Sequence, residues 1–289
     1  MTVIVRSIQV GSETLTLETG RMAKQANGSV LASYAGGSVL CTSCGSSTPK
    51  PNAPFFPLSC DYVEKFYAAG RIPGNYFRRE GRQSEKETLV SRMIDRPARP
   101  LFPNGYMCET QVIATVVSFD GVNDTDVIAM TGAFASLTIS DIPWDGPVAA
   151  IRVCRVDGEF FANPTFAQRE ASELELVVAV GPKGLVMVEG EANFVAEDVM
   201  IAAMLFAEET CKPIIAFVQD FAAEAGKEKF TWVSAEVDAE LVEACREVAY
   251  DKMAAAAVIP TKMERYSEIS LVKKAAVAAL AERYPDRGG

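Results

Sequence analysis

Histidine is absent from this 289-residue chain, and so are the common phosphate-binding loops of nucleotide enzymes. Without histidine the protein cannot use a Ser-His-Asp triad, a Cys-His pair, a histidine metal ligand or a histidine proton shuttle. The sequence also lacks a G-x-x-x-x-G-K-[ST] loop and a G-x-G-x-x-G fingerprint. Any chemistry must therefore use carboxylates, lysine, arginine, backbone amides, a metal held by oxygen ligands, or the substrate itself.

Long apolar runs are missing as well. No stretch reaches about 18 apolar residues, and the start of the chain lacks a basic region followed by an apolar one. We therefore expect neither a membrane span nor a signal peptide, and we place the protein in the cytoplasm. The composition, 49% hydrophobic and 23% charged, is that of a globular protein with one large or two smaller domains.

The cysteines are odd in number and scattered. There are seven, at Cys41, Cys44, Cys60, Cys108, Cys154, Cys211 and Cys245. Most lie in apolar runs, which favours reduced thiols that pack as small hydrophobic side chains. Cys41 and Cys44 form a C-x-x-C, but a zinc site normally needs a second pair of ligands and no other close cysteine pair exists. We interpret the pair as strand packing, with a redox or metal role as the alternative.

Alternation of apolar and polar residues predicts strands in the first part of the chain. The segments TVIVRSIQVG and ETLTLETG alternate, and GSVLASYAGGSVLCTSCGS repeats the pattern around a hairpin turn at 36–37. A helix is predicted after Ser84, because Ser84 and Glu87 have capping-box spacing. Pro97 and Pro100 are expected to end this helix. A strand, QVIATVVSF, and a helix with an acidic start, DTDVIAMTGAFASLTIS, follow.

The pattern of strands followed by helices then recurs. Hairpins are predicted with turns at 157–158 and 181–184, followed by a long helix from about Ala196 to Ala225 that is interrupted near 212–213. This arrangement predicts an α/β fold of the α+β type, with mixed sheets and packed helices. From about 234 the chain is alanine-rich and helical, and we expect a separate helical segment that is truncated, because so small a unit has little core of its own.

One segment, residues 70–100, differs from the rest of the acidic chain. Eight basic residues against four acidic ones give it a charge of +4, whereas the chain as a whole carries −10. A basic patch on an acidic body suits phosphate recognition with little non-specific binding. Two aromatic residues precede adjacent arginines in a loop primed by Pro73-Gly74, and rings beside guanidinium groups are what single-stranded nucleic acid binds. The composition predicts an anion-binding loop, with nucleic acid as the favoured ligand.

Structural ion pairs are the alternative for part of this segment. Arg92 and Arg96 are four residues apart and share a helix face, where Asp95, Glu85 and Glu87 are available as partners. From spacing alone, RNA contact and structural pairing are equally open for these two arginines.

The same segment resembles the signature region of the bacterial polynucleotide phosphorylases. The blocks AAGRIPG, FRREGR, SEKETL and IDRPARPLFP occur in that family's order and spacing, and weaker similarity extends through LETGRMAKQA, QVIATVVS, LVMVEGEA and KMERY. The resemblance implies a first ribonuclease PH-like core at about 1–228, with lobes of about 1–145 and 146–228. It also implies that 234–289 is the start of an all-helical linker.

The resemblance further implies a function. Family members are polyribonucleotide nucleotidyltransferases, homotrimeric 3′-to-5′ exoribonucleases of mRNA degradation, in which inorganic phosphate attacks the terminal phosphodiester of single-stranded RNA and releases nucleoside diphosphates. Magnesium assists, and no histidine is required. The family's catalytic, phosphate-binding and metal-binding residues lie in a second core that this sequence does not contain, so catalytic residues stay unassigned and no metal ligand is expected here. Partners in RNA-degradation complexes are also implied.

RNA contacts are what the family's first core contributes. The family's loop of two aromatic residues and two arginines is Tyr76-Phe77-Arg78-Arg79 here, with ring stacking assigned to Phe77 and Tyr76. Four other arginines fall on arginine positions of the family motif and are expected to contact RNA or phosphate: Arg82, Arg92, Arg96 and Arg99.

Two other functions compete with an RNA-guiding core. In one, this core has its own active site, with Asp95, or Asp124 and Asp126, holding magnesium; an acidic helix start such as DTD is, however, usually a dipole partner or cap. In the other, the protein is a non-catalytic RNA-binding or scaffold ring.

Overall fold

The computed structural model describes residues 2–50, 53, 55–74, 80–232 and 238–284. The chain divides into two compact units, Met1–Val233 and Ser234–Gly289. The first contains two β-sheets with helices, and the second contains helices. The predicted α+β fold is confirmed.

The first sheet has six strands in the order β1-β2-β3-β4-β6-β5. Its strands are β1 (Ile4–Val10), β2 (Glu13–Thr19), β3 (Gly28–Tyr34), β4 (Gly37–Pro49), β5 (Leu58–Glu64) and β6 (Cys108–Ser118). Neighbours pair antiparallel except β5 and β6, which are parallel. The predicted hairpin between β3 and β4 is confirmed. A parallel pair needs a crossover connection, and here the crossover contains the arginine-rich segment.

That crossover passes through a short 3₁₀ helix (Phe66–Ala69) and helix α1 (Glu85–Ala98). The predicted capping box is confirmed: Ser84 Oγ accepts from the Glu87 backbone NH at 3.1 Å, and the Glu87 carboxylate accepts from the Ser84 NH at 2.6 Å. Glu87 also accepts from the Glu64 NH at 2.8 Å and so ties the helix start to the end of β5. The helix continues past Pro97 to Ala98, and Pro100 lies in the 3₁₀ turn that follows.

The second sheet has four antiparallel strands in the order β10-β9-β7-β8. They are β7 (Ala149–Val156), β8 (Glu159–Ala162), β9 (Leu174–Gly181) and β10 (Gly184–Ala192). Both predicted hairpins are confirmed, because β7 pairs with β8 and β9 pairs with β10. A short helix, α3 (Phe166–Glu170), joins the two hairpins.

Helix α2 (Asp126–Ile139) is buried on every side, with 13 of its 14 residues out of solvent. It contacts β3, β4 and β6 of the first sheet, and β7 of the second. The helix approaches the first sheet closely at Gly132, where an added Cβ would lie 2.7 Å from Cys41 Sγ and 2.9 Å from Ala32 Cβ. The helix therefore needs its small residue at this position.

Helix α4 (Glu197–Ala225) packs on strands of the second sheet and on β1. The predicted interruption near 212–213 is wrong, since the helix continues through Pro213. Proline removes one helical NH and leaves a carbonyl one turn earlier without its bond. Lys212 and Pro213 both lie on the exposed face, where water can solvate that carbonyl.

The segment after α4 is bound to the end of α2. Lys229 Nζ donates to the carbonyls of Leu137, Thr138 and Ser140, at 3.0, 3.0 and 2.6 Å. These are carbonyls at a helix C-terminus, which lack partners of their own and attract a cation. Lys227 Nζ reaches the Asn27 carbonyl at 2.6 Å. Two lysines thus fasten this segment to distant parts of the first unit.

The second unit contains α5 (Ala239–Ala257) and α6 (Lys262–Arg283), which pack against each other. Within 238–284 no strand is present, as predicted. In the part of the chain that the structure covers, no helix is both long and apolar enough to cross a bilayer. The proposed limits of the core and of the helical linker stay predictions.

Replacing Gly132 by alanine should destabilise the protein. In an exposed helix this change stabilises by about 1 kcal/mol, but overpacking a core costs about 1–3 kcal/mol. We expect a lower midpoint in urea unfolding. The double variant Gly132→Ala/Cys41→Ala, which removes the nearest atom, should recover part of the loss. A higher midpoint for Gly132→Ala alone would contradict the close packing.

Candidate nucleic-acid interface

We call residues 71–80 the arginine loop. Both of its ends are hydrogen-bonded to the backbone of Phe66. At the start of the loop, the Arg71 NH donates to the Phe66 carbonyl at 3.0 Å. At its end, the Glu80 carboxylate accepts from the Phe66 NH at 2.9 Å and from Lys65 Nζ at 2.8 Å. The residues predicted to contact RNA most directly, Tyr76-Phe77-Arg78-Arg79, lie outside the described residues. The bonds at 71 and 80 fix where the chain enters and leaves that stretch.

The Glu80–Lys65 pair is ionised at neutral pH. The hydrogen bond from Lys65 holds the pKa of Glu80 below its usual range, and the same bond raises the pKa of Lys65. A carboxylate with a lowered pKa stabilises the folded state above its ordinary pKa and loses that contribution as the pH falls through the lowered value. The anchor of the loop therefore holds throughout the neutral range.

Two of the other predicted RNA-binding arginines have no partner among the residues that the structure describes. Arg82 precedes α1 and Arg92 lies on it, and both side chains are exposed. Among the residues that the structure describes, neither makes an ion pair or a hydrogen bond. For Arg92, which could also have been a structural ion pair, no structural partner is found in the described part.

Arg96 and Arg99 are engaged within the protein. Arg96 forms an ion pair with Glu189 of β10, in which both side chains are about half exposed. Arg99 donates to both carboxylate oxygens of Asp95, at 2.7 and 2.5 Å, and to the carbonyls of Phe56 and Leu58, at 3.0 and 3.1 Å. Arg99 thereby ties the end of α1 to the start of β5.

The acidic residues considered as magnesium ligands are all bound by basic groups. Asp95 pairs with Arg99. Asp124 accepts from Lys86 at 3.0 Å and from Arg169 at 2.7 Å, and Asp126 pairs with Arg152. Over the described ranges, no three histidine, cysteine or acidic side chains are grouped so that they could hold a metal. The described residues therefore do not fit a magnesium ion.

An ion-pair network joins the second sheet to the start of α2, the helix that packs between the two sheets. Arg152, on β7 and 7% exposed, contacts both Asp126 of α2 and Glu175 of β9. Arg169 of α3 donates to both oxygens of Glu175 at 2.9 Å and also to Asp124. We call Asp124, Asp126, Arg152, Arg169 and Glu175 the inter-sheet network.

The two aspartates of the inter-sheet network respond to burial in opposite ways: burial raises the pKa of Asp126, because Arg152 offsets it only in part. Burial alone would raise the pKa of Asp124, but Lys86, Arg152 and Arg169 outweigh it and lower that pKa. The network lines one side of an open groove of about 670 Å³.

Sequence reasoning missed Arg152, Arg169 and Glu175. The signal was a charged residue inside the apolar run AAIRVC, which must find an opposite charge if the strand is buried.

The C-x-x-C pair is divided between two faces of β4. Residues three apart on a strand point to opposite sides, so Cys41 is buried against α2 and Cys44 is exposed. Burial raises the pKa of the Cys41 thiol. This placement favours strand packing, because the two sulfurs do not face one ligand.

Removing Arg152 should cost far more stability than removing its neighbour Arg155. Arg152→Met leaves the buried Asp126 without its cation, which costs about 3–5 kcal/mol, whereas Glu175 keeps its bonds to Arg169. Arg155 lies on the same strand, but its partner Glu173 is half exposed, so Arg155→Met should cost about 1 kcal/mol or less. Urea unfolding followed by circular dichroism gives both values. Equal losses would mean that the inter-sheet network does not hold α2 to the second sheet.

Comparison with known proteins supports the same fold and family. Residues 12–143 match the model of the 3′ exoribonuclease family, domain 1, and residues 146–210 match that of domain 2. The rice protein Rrp46 superposes with a TM-score of 0.57 over 74% of this chain and 94% of its own, at 15% identity, which supports the fold alone.

Curated bacterial relatives are more similar in sequence. The polyribonucleotide nucleotidyltransferases of Syntrophotalea carbinolica and Trichlorobacter lovleyi are each 46% identical over 279 residues, which is 96% of this chain. The chain spans about 40% of the length of each. These matches confirm the resemblance that the arginine segment indicated. With both domain models matched in order, the chain belongs to the 3′ exoribonuclease family.

Proposed function

We propose that this chain is the first ribonuclease PH-like core of a polynucleotide phosphorylase, followed by the start of the helical linker. The observation that carries the proposal is the 46% identity with polyribonucleotide nucleotidyltransferases over 96% of the chain. In the reaction, inorganic phosphate attacks the terminal phosphodiester of single-stranded RNA. A nucleoside diphosphate is released, and the shortened RNA leaves with its 3′ hydroxyl.

Within that enzyme, the role of this core is to guide RNA. Attack by phosphate on RNA depends on positioning of the RNA and neutralisation of its charge. Arginines can do both for a polyanion. The proposed contacts are the rings of Tyr76 and Phe77 and the guanidinium groups of Arg78 and Arg79. Arg82 and Arg92 extend the same basic surface, and their lack of partners in the described part of the chain supports an external anion as ligand.

Arg96 and Arg99 contribute less to RNA binding in this proposal. The pair between Arg96 and Glu189 is exposed, and such pairs are worth about 1 kcal/mol or less, so a phosphate can compete for Arg96. Arg99 already makes four hydrogen bonds inside the protein, which leaves it few free donors. Its first role is to hold β5 against α1.

The remaining features are proposed for the intact enzyme. Magnesium and inorganic phosphate would bind in the second core, which agrees with the full engagement of Asp95, Asp124 and Asp126 here. We also propose a homotrimeric ring, contact with RNA-degradation partners and a cytoplasmic location. A non-catalytic scaffold is not favoured, because the relatives share an enzyme's name over nearly all of this chain.

A phosphorolysis assay tests the division of labour. The purified chain is incubated with single-stranded RNA, magnesium and inorganic phosphate, and release of nucleoside diphosphates is measured beside RNA binding. We expect binding without release. Robust release would mean that this core has its own phosphate and metal site.

Replacing Arg78 and Arg79 by alanine should weaken binding of single-stranded RNA and flatten its salt dependence. Each lost phosphate contact reduces the slope of log K against log salt by about 0.7, so we expect a change of about 1.4. The control is Lys183→Ala/Arg246→Ala, which removes two exposed charges from other surfaces. An unchanged slope for the Arg78/Arg79 variant would contradict the RNA role of the loop.

A further inference from the structure

A cavity of about 200 Å³ lies where the arginine loop joins the first sheet. Its lining includes Ala68, Val116 and Phe119, which we call the apolar floor, beside the buried Thr125. Phe66 forms one wall, and 45% of its surface is exposed to solvent. A half-exposed aromatic ring beside an apolar floor presents a flat surface on which another ring can stack.

The charged groups around this cavity are not equivalent. Lys65 is paired with Glu80, and Lys86 with Glu64 and Asp124. Arg71 also lines the cavity, and among the described residues its guanidinium has no ion-pair or hydrogen-bond partner. The cavity therefore combines a stacking surface with one available cation.

We propose that this cavity binds one nucleotide, with its base against Phe66 and its phosphate on Arg71. A free phosphate would not use the apolar floor, and a purely apolar ligand would leave the guanidinium unused. A nucleotide uses both, through base stacking and a charge-assisted bond to phosphate. The volume suits a single base rather than a larger ligand.

Continuity with the arginine loop identifies RNA as the source of that nucleotide, and in this respect the inference rests on the proposed function. Arg71 is the first residue of the loop, and its backbone NH is bound to the carbonyl of Phe66. An RNA strand bound by Arg78 and Arg79 would contact the same loop that borders the cavity. A free nucleoside diphosphate has the same chemistry and is the second source to be tested.

The test uses RNA decamers in which one base is replaced by an abasic ribose, moved along the strand position by position. For the unaltered chain, we expect one position at which removal of the base weakens binding by about 5- to 150-fold. In Phe66→Ala the loss of affinity at that position should disappear, while abasic riboses at the other positions keep their effect. In Phe66→Tyr, which keeps the ring, the loss at that position should remain. A general loss of folding would not remove the penalty at a single position.

Arg71→Ala should weaken binding of every decamer and lower the salt slope by about 0.7. Two matched variants serve as controls. Arg6→Ala removes an exposed arginine on β1, at the opposite edge of the same sheet, and Phe194→Ala removes a fully exposed ring. Neither should change the pattern of abasic penalties.

A titration with adenosine diphosphate separates the two sources. Binding of the diphosphate that is lost in Phe66→Ala and Arg71→Ala supports the cavity as a site for a free nucleotide. If the chain binds neither decamers nor diphosphate, both the proposed function and the cavity assignment fail. If the decamers bind but their abasic penalties are the same in Phe66→Ala, and no diphosphate binds, the cavity assignment alone is overturned.

Discussion

Helix α2 has no solvent-facing side, and the first unit is arranged around that constraint. A helix buried between two sheets must present small or apolar residues in every direction, and it does so from Val127 to Ile139. Its one acidic residue, Asp126, cannot reach water and must be neutralised inside the protein. Arg152 does this from the second sheet while also binding Glu175, so the charge that α2 brings into the core becomes a link between that helix and the second sheet.

The described arginines of residues 70–100 form two groups, those that bind partners within the protein and those that do not. Arg99 makes four internal bonds and Arg96 makes one exposed pair, whereas Arg71, Arg82 and Arg92 have no partner among the described residues. Some arginines of this segment therefore stabilise the fold, whereas Arg71, Arg82 and Arg92 are exposed at the surface.

Much of the architecture was predictable because it depends on local patterns. Strand alternation, the turns of three hairpins and the capping box at Ser84 act within a few residues, and the structure confirms them. The inter-sheet network was not predictable in this way, since Asp126, Arg152 and Glu175 are distant in sequence and share no periodicity.

Pro213 shows the converse. A local rule predicted a break in α4, but exposure of that face and packing of the opposite face keep the helix intact. The internal bonds of Arg99 were likewise not predictable, because it donates to the carbonyls of Phe56 and Leu58, which no motif indicates.

The two lysines after α4 have a consequence for the order in which the protein folds during synthesis. Lys229 completes the last turn of α2, some 90 residues earlier in the chain, and Lys227 binds the carbonyl of Asn27, some 200 residues earlier. At about 5–20 residues per second, α2 waits several seconds on the ribosome before Lys229 is made. During that interval the carbonyls at the end of α2 and at Asn27 lack the lysines that bind them in the folded protein. The first unit is therefore completed from its C-terminal side, and the last residues of that unit to be synthesised are the ones that close it.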